Sequence, residues 1–210
     1  MVVQKIRELI SNAQFRLSKE GYWKKRLIYL NKYGNWRNQQ KIEIIPDNIF
    51  IPLCKEIKDN NCMVFSDINV LEIGCGNGMY TKLLSNLGIK KYIGIDITDV
   101  LFSELMQKFS DYLFIKMDIT IQYPSQKFDL IIMLDVTQHI TSDNLFFKAM
   151  ENVKYCLNDN GVFMVTSWLN RNINTYYEKS RTLEYYLEIF KGYNINIYPF
   201  SNKFILVISK

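Results

Sequence analysis

From Ile68 to Trp168 the chain repeats one pattern: a short apolar run rich in β-branched residues, then a stretch with apolar side chains three and four positions apart. The runs are "INVLEIG", "KYIGIDI", "YLFIKMDI", "FDLIIMLDV" and "GVFMVTSW", and "MYTKLLSNLG" and "DVLFSELMQKF" lie between them. Before the last run, "TSDN" supplies helix-capping residues. Leu145, Phe146, Ala149, Met150 and Val153 then mark one helical face, and "NDNG" reads as its terminator. Runs this short read as strands, and their near-continuous apolarity requires burial on both faces. That combination predicts an α/β fold of parallel crossover units.

The flanks read differently. Val3, Ile6, Ile10, Ala13 and Leu17 predict an amphipathic helix, a second covers Tyr22 to Leu30, and a third runs from Ile49 to Lys58 after an irregular stretch bracketed by Pro46 and Pro52. A boundary falls between Cys62 and Asp67, so residues 1–65 form a helical extension or lid and 66–210 the main domain. At the other end a helix over Leu183 to Phe190 precedes "YNINIYPF" and "KFILVIS", which a turn around Pro199 to Asn202 must join antiparallel. With 210 residues, 48% of them hydrophobic, the chain can bury one sizeable core.

Several function classes are disfavoured. The N-terminus carries charges at helical spacing where a signal peptide needs an unbroken apolar core, and "FDLIIMLDV" is too short to span a bilayer. Cys54, Cys62, Cys75 and Cys156 form no CxxC pair and His139 is the sole histidine, so neither a metal site nor a disulfide framework is expected, and a cytoplasmic location fits. A net charge of +5 favours anionic partners without demanding them.

Gly74, Gly76 and Gly78 sit between the first strand and its helix, where a ligand can touch main chain that no Cβ shields. A dinucleotide fingerprint would place its third glycine one position later, where Met79 stands. Glu72 argues further against a phosphate, which a nearby carboxylate would repel. S-adenosylmethionine, a nucleoside with a sulfonium and no phosphate, suits both features. Asp96, at the tip of "KYIGID", is placed to accept the ribose hydroxyls, and Asp118, ending "YLFIKMD", to accept from the adenine amino group; Ile97 and Ile119 could sandwich the purine.

Together, "VLEIGCGNG", "YIGIDI", "FIKMDI", "FDLIIMLDVTQHI" and "LNDNGVFMVTSW" resemble, in order and spacing, the class I S-adenosylmethionine-dependent methyltransferases, over roughly Val70 to Lys210. The resemblance implies a three-layer, Rossmann-like doubly wound sheet of seven mostly parallel strands with the last antiparallel, N-terminal helices beside it, and S-adenosylhomocysteine as product. It implies that Glu72, Gly74, Gly76 and Gly78 hold the methionine part, Asp96 the ribose, and Asp118 with the Ile119 backbone the adenine, with Cys75 and Ile97 also among the cofactor-binding residues. Asp135 would stand at the mouth of the substrate pocket and touch cofactor as well.

Methyl transfer is an in-line displacement that relies on alignment and exclusion of water, and an oxygen nucleophile also needs its proton removed. Asp135 and His139 follow the fourth strand, where ligands gather in open α/β sheets, and are the candidate catalytic residues. Trp168, Asn170 and Arg171 lie at the same edge as candidate pocket wall. Arg181, Tyr185 and Tyr186 are assigned to the helix before the terminal hairpin. "GYWKKRLIYLNKYGNWRNQQK" interleaves Lys24, Lys25, Arg26, Lys32, Arg37 and Lys41 with Tyr22, Trp23, Tyr29, Tyr33 and Trp36. That mixture suits either a lid or a grip on RNA. The expected acceptor is a small polar molecule such as a sugar or glycan precursor, with a tRNA or rRNA base as the alternative.

Overall fold

The computed structural model describes residues 18–33 and 39–210, with side chains for 18–29 and 49–210. The helix expected over Val3 to Leu17 lies outside these residues, as do the side chains of Lys32, Tyr33, Trp36, Arg37 and Lys41.

Seven strands form one sheet: β1 (Asn69–Ile73), β2 (Lys91–Asp96), β3 (Leu113–Lys116), β4 (Phe128–Met133), β5 (Leu157–Ser167), β6 (Asn194–Phe200) and β7 (Lys203–Ser209), in the order β3-β2-β1-β4-β5-β7-β6. The first five run parallel, and β7 lies antiparallel between β5 and β6. The helices are α1 (Lys19–Tyr33), α2 (Gln39–Asn60), α3 (Met79–Asn86), α4 (Phe102–Lys108), α5 (Asp143–Cys156) and α6 (Leu183–Ile189). This is the doubly wound fold that the strand–helix alternation predicts.

Both sheet faces are dry, for the reason the apolar runs suggest. Val70, Leu130, Ile132, Val162, Met164 and Ile205 pack toward α2 and α3, while their neighbours Leu71, Ile131, Met133, Phe163, Val165 and Leu206 pack toward α5 and α6. The period-two alternation of a strand thus fills two cores at once. Ser142 caps α5 by accepting the Leu145 N–H, as "TSDN" suggests.

Three sequence expectations need correcting. The third helix is not confined to Ile49–Lys58, because α2 passes through both Pro46 and Pro52. Each proline costs a helix about 3 kcal/mol. Phe50, Leu53, Cys54 and Ile57 are all buried on one stripe of α2, and at about 1.5–3 kcal/mol for each large side chain their burial offsets that cost. "NDNG" does not end α5 in a loop: β5 starts at once, and residues 158–161 form an irregularity where the β4–β5 register shifts. Asn158 Nδ2 donates to Asp129 Oδ1 at 2.5 Å and ties that bulge to β4. Pro199 belongs to the edge strand β6, where its missing N–H is tolerated, and only Ser201 and Asn202 make the turn.

β1 pairs with β2 on one side and β4 on the other, so the chain departs in opposite directions from two adjacent strands. A crevice opens at their carboxyl ends, which is where such sheets take ligands. No helix among the described residues is long and apolar enough to cross a membrane.

Candidate active site

A cavity of about 250 Å³ occupies this crevice. Its floor is the loop after β1, where Gly74, Gly76 and Gly78 all take left-handed φ of +78°, +51° and +79°. At Gly74 a side chain is excluded twice, by φ and by space, since a Cβ there would lie 2.3 Å from Val136 Cγ2. The loop is pinned to β2: the Gly74 N–H donates to Ile95 O at 2.7 Å and the Gly76 N–H to Asp96 Oδ2 at 3.0 Å.

Asp96 is correspondingly buried, and its other oxygen, Oδ1, accepts the Thr98 N–H at 3.1 Å. Burial holds its carboxyl above the usual range, opposed by the amides of Thr98, Gly76 and Ile97. Ile97, Asp118 and Ile119 join Gly74, Gly76 and Asp96 in the wall, as the sequence suggests, and Met117 extends the apolar slot. Thr120 donates both its N–H and its hydroxyl to Asp118 Oδ1 at 2.9 and 2.7 Å. From behind, Asn152 on α5 donates to the Ile119 carbonyl at 2.7 Å. Neither threonine nor asparagine was legible as a support.

Glu72, Cys75 and Gly78 lie behind this wall rather than in it. The Glu72 side chain is inside the sheet–α3 layer, where Oε2 accepts from Thr81 Oγ1 at 2.9 Å and from Tyr92 OH at 2.6 Å. Its carboxyl is pushed up to about 7, first by burial, with Tyr92 and Thr81 opposing and Asp96 adding. Cys75 is buried too, and desolvation keeps its thiol well above the ordinary range, so it serves as packing rather than as a nucleophile.

The Glu72 shift has a measurable sign. A carboxyl that titrates near 4.5 unfolded and near 7 folded leaves the native state with more bound protons between those values. Stability therefore falls as pH rises from about 4.5 to 7 and levels off above. Unfolding free energies from denaturant titrations at pH 5 and pH 8 should differ by about 2–3 kcal/mol from this group, and Glu72→Gln should flatten that difference.

Across the crevice, Asp135 follows β4 with φ +61°, a conformation that L-residues adopt at a cost of about 1–2 kcal/mol. It is retained because the Asp135 N–H donates to Thr166 Oγ1 at 2.7 Å and Lys203, at the start of β7, donates to its carboxylate. A short 3₁₀ turn, Thr137–His139, then brings His139 into the wall beside Asp135. His139 Nδ1 lies 3.0 Å from the Tyr177 carbonyl, which can only accept, so Nδ1 carries the hydrogen and Nε2 the lone pair. Burial, with Arg26 and Lys203 nearby, lowers its pKa to about 4, so the ring is neutral at pH 7.

The roof is α1. Lys19, Trp23 and Leu27, four residues apart on one face, line the cavity, and the Trp23 ring meets the His139 ring edge-on with centroids 4.5 Å apart. Glu20 pairs with Lys116 at 2.5 Å and fastens the helix start to the end of β3. Tyr22 is buried, while Lys24, Lys25 and Arg26 face solvent.

Trp168, Asn170, Arg171, Tyr185 and Tyr186 are outside the wall. Arg171 instead stacks over Trp168 with its guanidinium 5.3 Å from the ring. Arg181 precedes α6 rather than lying on it, and is buried. Its guanidinium donates to the carbonyls of Thr137, Ile140 and Ser142, pairs with Asp143 and lies 4.0 Å over Phe146. It is a clamp on the loop that carries His139.

Residues 48–201 match a family described as "Methyltransferase domain". The chain is 30% identical over 122 residues to a ubiquinone biosynthesis O-methyltransferase of Bradyrhizobium diazoefficiens, covering 56% of this chain and 46% of that one. It is 32% identical over 170 residues to a tRNA U34 carboxymethyltransferase of Campylobacter hominis, covering 75% and 57%. The chain thus spans about half the length of these curated relatives. A solved S-adenosylmethionine-dependent methyltransferase from Clostridium acetobutylicum superposes with a TM-score of 0.68 at 18% identity, over 85% of this chain and 98% of that one.

Proposed function

Since the chain belongs to the methyltransferase-domain family and is an S-adenosylmethionine-dependent methyltransferase, we propose that its acceptor is the oxygen or nitrogen of a small molecule enclosed beneath α1. The residues present fit the cofactor. Bare main chain at Gly74 and Gly76 suits the methionine part, and the Asp96 carboxylate suits two ribose hydroxyls. The flat slot of Ile97, Met117 and Ile119 suits a purine, with Asp118 to accept from its amino group. Glu72 acts from behind, where its ionised form, which prevails above about pH 7, sets up a field that favours a cation.

When bound, S-adenosylmethionine supplies an electrophilic methyl group, and the electron pair of the broken C–S bond stays on sulfur. The protein's part is alignment and proton handling. His139 Nε2 takes the proton of a hydroxyl acceptor, while Asp135, anchored by Lys203, orients the acceptor. For a neutral amine, which needs no base at attack, His139 only positions.

The observation that carries the small-molecule reading is the roof. α1 turns Trp23 and Leu27 inward over the crevice, and the cavity is already below the roughly 300–1,000 Å³ of typical ligand sites. A cavity this small, roofed by a helix, suits a lid that lifts to admit cofactor and acceptor and then re-closes. The RNA reading draws on the exposed Lys24, Lys25 and Arg26 and on the tRNA-modifying relative. It is weakened because Tyr22 and Trp23 face inward, with the Arg26 guanidinium held against both rings, leaving fewer rings on the surface for bases to stack on.

Incubating the protein with methyl-labelled cofactor and fractionated cell extract should place label in the small-molecule fraction. Label confined to RNA would replace this proposal with its rival.

A further inference from the structure

Resting on the small-molecule reading above, we propose that the acceptor is a planar aromatic or heteroaromatic ring, gripped between Trp23 of α1 and Tyr80 of α3 with its nucleophilic atom toward His139.

The argument begins with what the cofactor leaves over. Its fitted groups, from Gly74 and Gly76 to Asp118 and Ile119, take the ends of β1, β2 and β3. The remaining wall lies at the end of β4 and includes Asp135, His139, Trp23 and Tyr80. Three of these four side chains are rings. Tyr80 is held rigidly, 6% exposed, with its ring 5.2 Å from that of Phe50 on α2. Trp23 is held by its edge contact with His139 and by Arg26, whose guanidinium lies 5.8 Å from its centroid.

The polar inventory at this end is equally selective. Lys203 takes Oδ1 of Asp135 and leaves Oδ2 toward the acceptor, and Tyr177 fixes the Nδ1 hydrogen of His139. What remains for an acceptor at this end is the Tyr80 hydroxyl, which donates to no described residue, Asp135 Oδ2, and His139 Nε2, from which the long 3.4 Å contact of the Gln138 amide would be displaced; Lys19 and Asn77 are further polar side chains of the cavity. A sugar entering between Trp23 and Tyr80 would turn some of its hydroxyls against ring faces and strip them of water there, a loss of roughly 1–3 kcal/mol for each group left unmatched. A flat ring with one hydroxyl or N–H presents apolar faces to Trp23 and Tyr80 and one polar atom to Nε2. A phenolic proton is also far more acidic than that of an alcohol, which suits a neutral imidazole of low basicity. These constraints turn the expectation of a sugar or glycan precursor toward an aromatic acceptor.

The test uses the full chain saturated with S-adenosylhomocysteine, titrated calorimetrically with catechol and 5-hydroxyindole as aromatic probes and with myo-inositol and glucosamine as comparators. Saturable binding of an aromatic probe, with the comparators at least about tenfold weaker, is expected. Trp23→Ala should weaken that binding about tenfold or more and Trp23→Phe should restore most of it, while S-adenosylhomocysteine affinity moves less than about threefold. In turnover the Trp23→Ala loss should appear in KM rather than kcat. Comparators binding as well as the aromatic probes, no aromatic probe binding to the loaded protein, or a Trp23→Ala variant that binds them undiminished would each overturn the proposal. Methyl label entering aliphatic small molecules sinks only this inference, whereas label confined to RNA sinks the reading on which it rests.

Discussion

Replacing Asp96 with alanine is expected to lower cofactor affinity by about 100-fold or more while shifting folding stability by about 1 kcal/mol or less. Two charge-assisted hydrogen bonds to ribose hydroxyls, at roughly 1.5–3 kcal/mol each, carry the first number. A second contribution comes from the loop, because Asp96 Oδ2 holds the Gly76 N–H at 3.0 Å and so fixes the main chain on which the methionine part would rest. The small stability change reflects two opposing effects. Alanine releases the Gly76 and Thr98 amides, but it also removes a buried carboxylate that desolvation disfavours. Calorimetry with S-adenosylhomocysteine measures the affinity, and denaturant unfolding of the same preparation separates binding from folding. An affinity within threefold of the parent chain would remove Asp96 from the ribose role.

What could be read in the residues and what could not divide along a physical line. Strand ends are visible, because an apolar run that must be buried on both faces stops where an acid stands. Asp96, Asp118 and Asp135 were located that way, and all three line the cavity. Depth behind the loop is not visible. Glu72 looked like an open contact because it neighbours three glycines, but its partners Thr81 and Tyr92 come from α3 and β2 and draw it into the layer beneath. Contacts closed by the tertiary fold are equally hidden. Lys203 reaches Asp135 from the last strand, and the Tyr177 carbonyl reaches His139 from an irregular segment after β5. The stripe Lys19, Trp23, Leu27 was present in the sequence as a four-residue period. Periodicity states which side chains share a face, and only packing states what that face covers. The prolines of α2 show the converse, a local signal overruled by a buried stripe.

His139→Ala should reduce kcat by about 100- to 10,000-fold with a hydroxyl acceptor, the usual range for losing a positioned base, and leave cofactor affinity within about threefold. The tautomer makes this specific: with Nδ1–H committed to Tyr177, Nε2 carries the lone pair without any prior proton loss, and an acceptor has only to displace the 3.4 Å contact from the Gln138 amide. Because burial and the nearby cations hold the ring near pKa 4, the acid limb of the rate profile should fall close to pH 4–5 in place of the 6.5 of a solvated histidine. Stability follows with a definite sign. Between pH 6.5 and 4 the unfolded chain binds a proton that the folded chain refuses, so the contribution of His139 is present above 6.5 and lost as pH falls through that window. Glu72 acts in the opposite direction, with stability falling as pH rises toward 7, so His139→Gln and Glu72→Gln should tilt the stability profile oppositely. Full turnover in His139→Ala, with the acid limb unmoved, would show that the proton leaves by another route and reduce the imidazole to a support for Trp23 and the loop.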